Sequence, residues 1–274
     1  MFASPQLYTS QRTVYSAGSF DAATTAWVNA VVSAGGAVSA TQKTRVDTLI
    51  VALKGHSLFS TNSRLWLHAG ESDSKQATID IMGLATATPQ NTPTLAAGGY
   101  SGNGTTSYVD LGTKPSDYTQ NAGFYGVYTL TDSTVNIGDI IPIGAFDGSN
   151  LFADLTPLSS AATALYRINR FGGDNTTGTN LNRKGSYLAV STGLNAGGLY
   201  KNGSSIAGVT NNTQNISGLP GFFICGRNNN GSLGSATSDQ IAASFIGGSL
   251  DATQASNFST DVNAYMTAWG INVY

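Results

Sequence analysis

The chain has 274 residues, with 13 basic and 15 acidic side chains and a formal net charge of −2. Charged residues make up 10% of it, against about 25% in a typical soluble domain, while the hydrophobic fraction of 41% is ample for a core. This balance excludes a basic nucleic-acid-binding surface, and the single Cys225 excludes a disulfide framework or cysteine metal cluster. Polar residues follow Met1 and no run of about 18 apolar residues occurs, so we expect neither a secretory signal nor membrane insertion.

Residues 1–20 are polar and aperiodic, which predicts an N-terminal arm or edge strand. A helix is predicted after the N-cap residue Asp21 and before Gly35 and Gly36. Its buried stripe would comprise Trp27, Val28, Val31 and Val32.

A second helix is predicted from the capping-box pair Ser39 and Gln42 to about Gly55. Its apolar positions are Val46, Leu49, Ile50 and Leu53. The short connection between the two helices predicts a helical hairpin over residues 21–64.

From Leu65 the apolar period changes to two, and about eleven short strands separated by turn clusters are predicted. The predicted strands include RLWLHA, ATIDIMGL, GFYGVYTL, ALYRINR and DQIAASFIGG, and the turn clusters include ATPQNTP, GGDNTTGTN and NNNGSLGSATS. Asn202 and Gly203 between two alternating runs indicate a hairpin with a type I′ turn. Strands at this spacing predict a β-sandwich or barrel over residues 65–250.

The chain closes with a predicted helix within residues 251–274, which Asp251 and Gln254 would cap and Gly270 would end. Its stripe would comprise Phe258, Val262, Tyr265, Met266 and Trp269. The Trp27 and Trp269 stripes are either core faces or interaction faces, and their regular spacing favours the core.

The stretch 199–258, with LYKNGSSIAGVT, GFFICGR and DQIAASFIGGSLDATQASNF, resembles the end of a laminin-G-like, concanavalin-A-like domain. GYSGNGTTSYVDLG at 99–112 is similar to the early strands of that family. The resemblance implies a mainly β fold, an antiparallel jelly-roll sandwich, to which the chain adds the N-terminal helical hairpin and the C-terminal helix.

Residues 26–71, followed by GYSGNGTTSYVDLG, resemble an N-terminal segment of bacteriophage and prophage proteins, and NAYMTAWGI at 263–271 resembles their C-termini. This resemblance implies a virion structural protein: a capsid-decoration, tail-fibre or baseplate component that binds other virion proteins. The arm, if extended, spans up to about 66–72 Å, so we expect it to reach a neighbouring chain in a homo-oligomer, a dimer or trimer, or to bind a capsid or tail protein.

Catalysis is not expected from the acidic residues. The chain has one glutamate, Glu71, and it lacks the E-x-D-x-E strand that concanavalin-A-like glycanases use to place two carboxylates across a glycosidic bond. We therefore expect that the chain is not an enzyme.

No metal or cofactor is expected either. Asp147 with Asn150, or Asp174 with Asn175, are candidate Ca²⁺ ligands, but these residue types also form turns through side-chain-to-backbone hydrogen bonds, which we favour. His56 and His68 lack metal-ligand spacing, and we expect them to be structural or surface residues.

The alternative function is a lectin-type module that binds host-surface glycans. Two loops, 170–183 and 227–235, supply the amide and guanidinium groups that sugar hydroxyls require. The candidate glycan-binding residues are Arg170, Asp174, Asn175, Arg227, Asn228 and Asn229. Turn formation is the structural alternative for the same residues.

Overall fold

The computed structural model describes residues 19–60, 62–135, 140–171, 176–208 and 217–274, and for residues 169–171 the backbone alone. Apart from Ser19 and Phe20, the predicted arm lies outside the described residues. The helices are α1 (Ala22–Ser33), α2 (Ala40–Gly55), α3 (Ser74–Thr78) and α4 (Ala252–Ala268). None of these described helices combines the length and the apolar character needed to cross a membrane.

Seventeen strands lie within the described ranges. They are β1 (Arg64–Leu67), β2 (Thr88–Gln90), β3 (Thr94–Ala96), β4 (Gly99–Ser101), β5 (Tyr108–Asp110), β6 (Gly123–Thr129), β7 (Ile143–Phe146), β8 (Leu151–Thr156), β9 (Thr163–Phe171), β10 (Thr176–Thr179), β11 (Gly185–Gly193), β12 (Ala196–Lys201), β13 (Ser204–Gly208), β14 (Phe223–Ile224), β15 (Arg227–Asn229), β16 (Ser232–Gly234) and β17 (Gln240–Gly248).

The strands form two antiparallel sheets, which confirms the expected mainly β sandwich. Sheet 1 has the order β13-β12-β11-β6-β17-β4-β3, and β1 joins it by pairing with β17. Sheet 2 has the order β10-β9-β8-β7-β14-β5-β2, and the β15–β16 hairpin adjoins it at β7. Within the described residues the β15–β7 pair runs parallel, unlike the other pairs.

Two apolar clusters cover the two faces of sheet 1. One lies between the sheets and includes Trp66 and Tyr125, and the other joins the helices to sheet 1 and includes Phe245 and Phe258. Residues 241–247 of β17 are consequently all buried. A strand covered on both faces reads as a continuous apolar run, which is the pattern of IAASFIG in the sequence.

The predicted helix caps are confirmed. Asp21 accepts from the Ala23 N–H, Ser39 accepts from the Gln42 N–H, and Asp251 and Gln254 form a reciprocal capping box. α2 packs against α1 and also against α4, where the Gln42 side-chain amide donates to the Tyr265 hydroxyl at 3.0 Å. The predicted hairpin is therefore part of a helical layer that includes the C-terminal helix.

Of two predictions about side-chain burial in the helices, that for Val32 is wrong, and that for Trp269, which packs partly buried against the core, is confirmed in part. Val32 is 55% exposed, because α1 buries Thr24, Trp27 and Val31 instead. Trp269 is half-buried as the C-cap residue of α4, and the Arg45 guanidinium lies 4.0 Å from its ring centroid.

The predicted strand ATIDIMGL is also wrong. Its first residues end α3, and the Asp80 carboxylate accepts from the backbone N–H groups of Met82, Gly83 and Ala85. Three such bonds from one side chain hold the backbone in a turn, which excludes a sheet ladder.

Three predicted turn clusters contain strands. ATPQNTP includes β2, GGDNTTGTN includes β10, and NNNGSLGSATS includes β16 and part of β15. The predicted hairpin at Asn202 and Gly203 is confirmed, with φ of 52° and 78°, and Asn230 and Gly231 repeat it between β15 and β16 with φ of 47° and 94°.

Trp27 is fully buried, and its indole N–H donates to the Ile79 carbonyl at 3.1 Å. Trp27→Ala is expected to lower the free energy of unfolding by about 3–5 kcal/mol, because it leaves a cavity between α1 and the sandwich. The exposed Val32→Ala on the same helix should change it by at most about 0.5 kcal/mol. Urea unfolding of both variants checks this, and equal losses would contradict the assignment of Trp27 to the core.

Candidate functional site

The outer face of sheet 2 carries a cluster of charged and aromatic side chains. Ala153 and Leu155 of β8 point into the core between the sheets, so alternation along the strand places Phe152 and Asp154 on the opposite face. The same alternation in β7 places Phe146 outward beside them. Arg167 of β9 and Arg227 of β15 complete the group, which we call the outer-face cluster.

The Asp154 carboxylate is the centre of the outer-face cluster. It accepts two bonds from Arg167, from Nε at 2.7 Å and from Nη2 at 2.5 Å, and a third from Arg227 Nη1 at 3.0 Å. Asp154 is fully buried, whereas the Arg227 side chain keeps 16% of its surface exposed. One carboxylate thus faces two guanidinium groups, and these three ionised groups carry a net charge of +1.

Planar groups stack across four neighbouring strands of this face, β15, β7, β8 and β9. The rings of Phe146 and Phe152 lie 4.1 Å apart at an interplanar angle of 15°. The Arg167 guanidinium lies 3.7 Å from the Phe152 centroid, and the Arg227 guanidinium lies 5.0 and 5.1 Å from the two ring centroids. Both rings are half-exposed, so the stack forms a rigid surface that solvent reaches.

Gly144 makes room for this packing. A Cβ atom at Gly144 would lie 2.8 Å from the Asp154 Cβ and 3.1 Å from the Arg227 Cγ. The missing side chain therefore allows the carboxylate and the guanidinium to meet over the strand between them.

Three of the predicted glycan-binding residues are described with their side chains, and they differ in position. Arg227 belongs to the outer-face cluster, and Asn229 is half-exposed beside it, at the register position opposite Phe146. Asn228 is buried, and its amide donates to the Gly221 carbonyl and accepts from the Gly231 N–H. Turn formation, the alternative to glycan binding, therefore describes Asn228 better, because its hydrogen bonds hold the β15–β16 turn.

Of the other three predicted residues, Arg170 is described by its backbone. The backbone of Arg170 pairs with Phe152, so Asn229, Phe146, Phe152 and Arg170 occupy one transverse row of four strands. Asp174 and Asn175 lie outside the described residues.

Four residues of the outer-face cluster were missed by the sequence analysis. The available signal was a charged residue within an apolar strand, which occurs at Asp154 in LFADL and at Arg167 in ALYRI. Charges at such positions require a partner, because an isolated buried charge is costly. Phe146 ends β7 and Phe152 lies near the start of β8, so the two residues are paired across the hairpin that these strands form.

The Asp147 carboxylate holds the turn between β7 and β8. This is the role that was predicted for it in preference to Ca²⁺ binding. It accepts from the backbone N–H groups of Ser149, Asn150 and Leu151 at 2.8–3.0 Å. Burial opposes ionisation of Asp147, but these bonds outweigh it and lower the pKa of the carboxyl below its usual value. Among the described residues, no cluster of histidine, cysteine and acidic side chains suited to a metal ion is found.

The two histidines occupy different environments. His56 caps α2 and pairs with Asp261 of α4 at 2.8 Å, a partner that its sequence position does not indicate. His68 is buried after β1, between the Ala77 carbonyl and the Ser244 hydroxyl, each at 2.8 Å. Because a carbonyl only accepts, Nδ1 of His68 carries the proton and Nε2 accepts from Ser244.

No family model matches the chain, and no curated protein matches it. Among solved structures it is similar to the Trypanosoma rangeli sialidase in complex with 2,3-difluorosialic acid, with 12% identity, a TM-score of 0.51, and coverage of 74% of this chain and 33% of that chain. The same sialidase in complex with sialic acid gives 13% identity, a TM-score of 0.50 and the same coverage. The Ruminococcus gnavus IT-sialidase CBM40 gives 13% identity and a TM-score of 0.43, over 56% of this chain and 92% of that chain.

The two matches to the Trypanosoma rangeli sialidase support the β-sandwich fold. The chain spans about a third of the length of the Trypanosoma rangeli sialidase chains. The two matches also contradict the expectation that the chain is not an enzyme, since solved structures with this fold include sialidases, which are enzymes. The small number of acidic residues therefore does not decide that question.

Asp154→Asn is expected to destabilise the protein by about 3–5 kcal/mol, because it leaves two guanidinium groups without their buried counter-charge. As a control, Lys54→Met removes the ion pair with Asp21, in which the lysine side chain is 41% exposed, and should cost at most about 1 kcal/mol. Urea unfolding measures both losses. If Asp154→Asn unfolds at the same urea concentration as the wild type, the carboxylate does not hold the cluster together.

Burial lowers the pKa of His68 from its usual 6.5 to about 4, although the hydrogen bond to Ala77 opposes this shift. The unfolded chain therefore binds a proton more readily than the folded chain, and stability should fall by about 3 kcal/mol as pH drops from about 6.5 to about 4. Below that range the contribution stays lost, and above it the contribution is fully present. Unfolding at a series of pH values should show a steeper dependence for wild type than for His68→Gln; parallel curves would contradict the assignment.

Proposed function

We propose that the chain is a carbohydrate-binding module, and that the outer-face cluster binds an acidic sugar. The observation that carries the proposal is the pair of guanidinium groups stacked on two half-exposed phenylalanine rings around one buried carboxylate. This arrangement combines an apolar surface, directed donors and a net positive charge at one place on the sandwich.

The charge of the outer-face cluster favours an anionic group on the ligand. Arg167 uses Nε and Nη2 on Asp154, which fixes its plane, whereas Arg227 gives Asp154 one bond from Nη1. The planar guanidinium of arginine matches a carboxylate better than the ammonium group of lysine does. Arg227, the more exposed of the two, is therefore assigned to the ligand carboxylate.

The neighbouring hairpin supplies groups for sugar hydroxyls. Asn229 lies at the register position beside Phe146, and Asn230 is exposed at the turn. The Asn230 N–H donates to the Phe146 carbonyl at 2.9 Å, which ties the turn to the aromatic stack. Preorganised groups of this kind reduce the entropy lost on binding.

Placement in a virion remains a separate prediction. It rests on the resemblance of residues 26–71 and 263–271 to bacteriophage proteins, and with it stand the predicted virion partners and the predicted dimer or trimer. A glycan-binding sandwich on a virion surface would satisfy both proposals, since binding to surface glycans is one way in which a particle attaches to a cell.

The matched probes for the outer-face cluster are α2,3-sialyllactose and lactose, which differ by one acidic sugar. Isothermal titration calorimetry should show tighter binding of sialyllactose, and a weaker affinity as NaCl rises, because the attraction is electrostatic. Arg227→Met should reduce the affinity for sialyllactose by about 10–100-fold through loss of a charge-assisted contact.

The control is Arg45→Met, which removes another guanidinium stacked on an aromatic ring, that of Trp269 in the helical layer. It should leave sialyllactose affinity unchanged. Equal affinity for the two sugars, or equal losses in the two variants, would refute the proposed site.

A further inference from the structure

A cavity of about 550 Å³, separate from the outer-face cluster, lies at one end of the sandwich. Three connections meet there: α2 to β1, β5 to β6, and β17 to α4. We call it the end pocket and define it by Arg64, Tyr118, Phe124 and Gly248. Its volume falls within the range of about 300–1,000 Å³ that small-molecule sites occupy.

The end pocket depends on two consecutive glycines at the end of β17. A Cβ atom at Gly247 would lie 2.4 Å from the Ser63 Oγ and 2.5 Å from the Phe124 ring, so the missing side chain lets these groups close beneath the strand. Gly248 lies in the lining of the cavity and is exposed, and a Cβ atom there would have no atom within 4 Å. Position 247 thus allows close packing against Ser63 and Phe124, and position 248 leaves open space.

The lining of the end pocket is rich in uncharged hydrogen-bonding groups. They come from all three connections, and they include Ser60, Asn62, Thr113, Thr119, Ser249 and Gln254. Leu58, Phe124 and Leu250 add apolar surface. A lining that combines hydroxyl and amide groups with apolar surface suits a sugar ring, which presents both hydroxyl groups and C–H groups.

The charges in the end pocket balance. The two charged residues in its lining, Arg64 and Asp117, have opposite signs. Arg64 Nε also lies 3.8 Å from the buried carboxylate of Asp80, and the Asp117 carboxylate accepts from the Lys114 N–H at 2.8 Å. Burial raises the pKa of the Tyr118 phenol, which therefore stays a neutral hydroxyl. The two charges of the lining therefore cancel, which favours an uncharged ligand over an ionic one.

We infer that the end pocket is a second binding site, and that its ligand is an uncharged, short oligosaccharide. It shares no lining residue with the outer-face cluster among the described residues, so the inference does not depend on the acidic-sugar site. The two sites differ in charge, and this difference separates them experimentally.

The first variant is Gly248→Phe, which adds a bulky side chain at a position that lines the cavity and where a Cβ atom meets no atom within 4 Å. Gly208→Phe is its matched control, because Gly208 also ends a strand of sheet 1, is exposed, and has open space at its Cβ position. Thr119→Trp, in the connection between β5 and β6, is a second blocking variant in case Gly248→Phe does not fold.

The probes are maltotriose, cellotriose and triacetylchitotriose, three neutral trisaccharides of different linkage. Saturation-transfer NMR and calorimetry on wild type should detect binding of at least one of them, with little dependence on NaCl. Gly248→Phe or Thr119→Trp should weaken that binding at least tenfold, whereas Gly208→Phe and Arg227→Met should not change it.

The inference is overturned if none of the three trisaccharides binds, or if binding survives both blocking variants. Loss of neutral-sugar binding in Arg227→Met would also overturn it, because the sugar would then occupy the outer-face cluster. Sialyllactose binding should persist in Gly248→Phe, so failure at one site is distinguishable from failure at the other.

Discussion

Sheet 1 is buried on both faces, and this constraint determines how the rest of the chain is arranged. Sheet 2 covers one face, and α1, α2 and α4 cover the other, so elements from both ends of the sequence pack on the same sheet. β6 and β17 lie at its centre, and seven consecutive residues of β17 are buried. A strand of this kind is stable only when both layers are present, which makes the helices part of the sandwich core.

Covering sheet 1 on both sides has a consequence for sheet 2. Its inner face completes the core, and polar function is left to its outer face and to the strand ends. On the outer face, an aspartate within an apolar strand has its charge balanced by two arginines, and the rings of Phe146 and Phe152 limit the movement of those arginines. The interaction that satisfies Asp154 also positions Arg227 at the surface, so stability and the proposed recognition of a sugar depend on the same contacts.

The two candidate sites use different physical means to select a ligand. The outer-face cluster has a net positive charge and little depth, which favours an anionic group held by a guanidinium. The end pocket has balanced charge and a volume of about 550 Å³, which favours shape and hydroxyl contacts. One β-sandwich can hold both sites because the first lies on a sheet face and the second lies where strands end and connections meet.

Local patterns in the sequence were sufficient to predict the helix caps and the hairpin turn. Each of these features depends on residues a few positions apart in the chain. They are the helix caps at Asp21, Ser39 and Asp251 and the turn at Asn202 and Gly203. The strand assigned to ATIDIMGL failed because three backbone bonds to Asp80 outweigh the apolar pattern. Of the candidate site, Arg227 and Asn229 were found from loop composition. Only the tertiary structure joined Arg227 to Asp154, 73 residues away, and to Phe146 and Phe152, because strand order and register decide which side chains share a face.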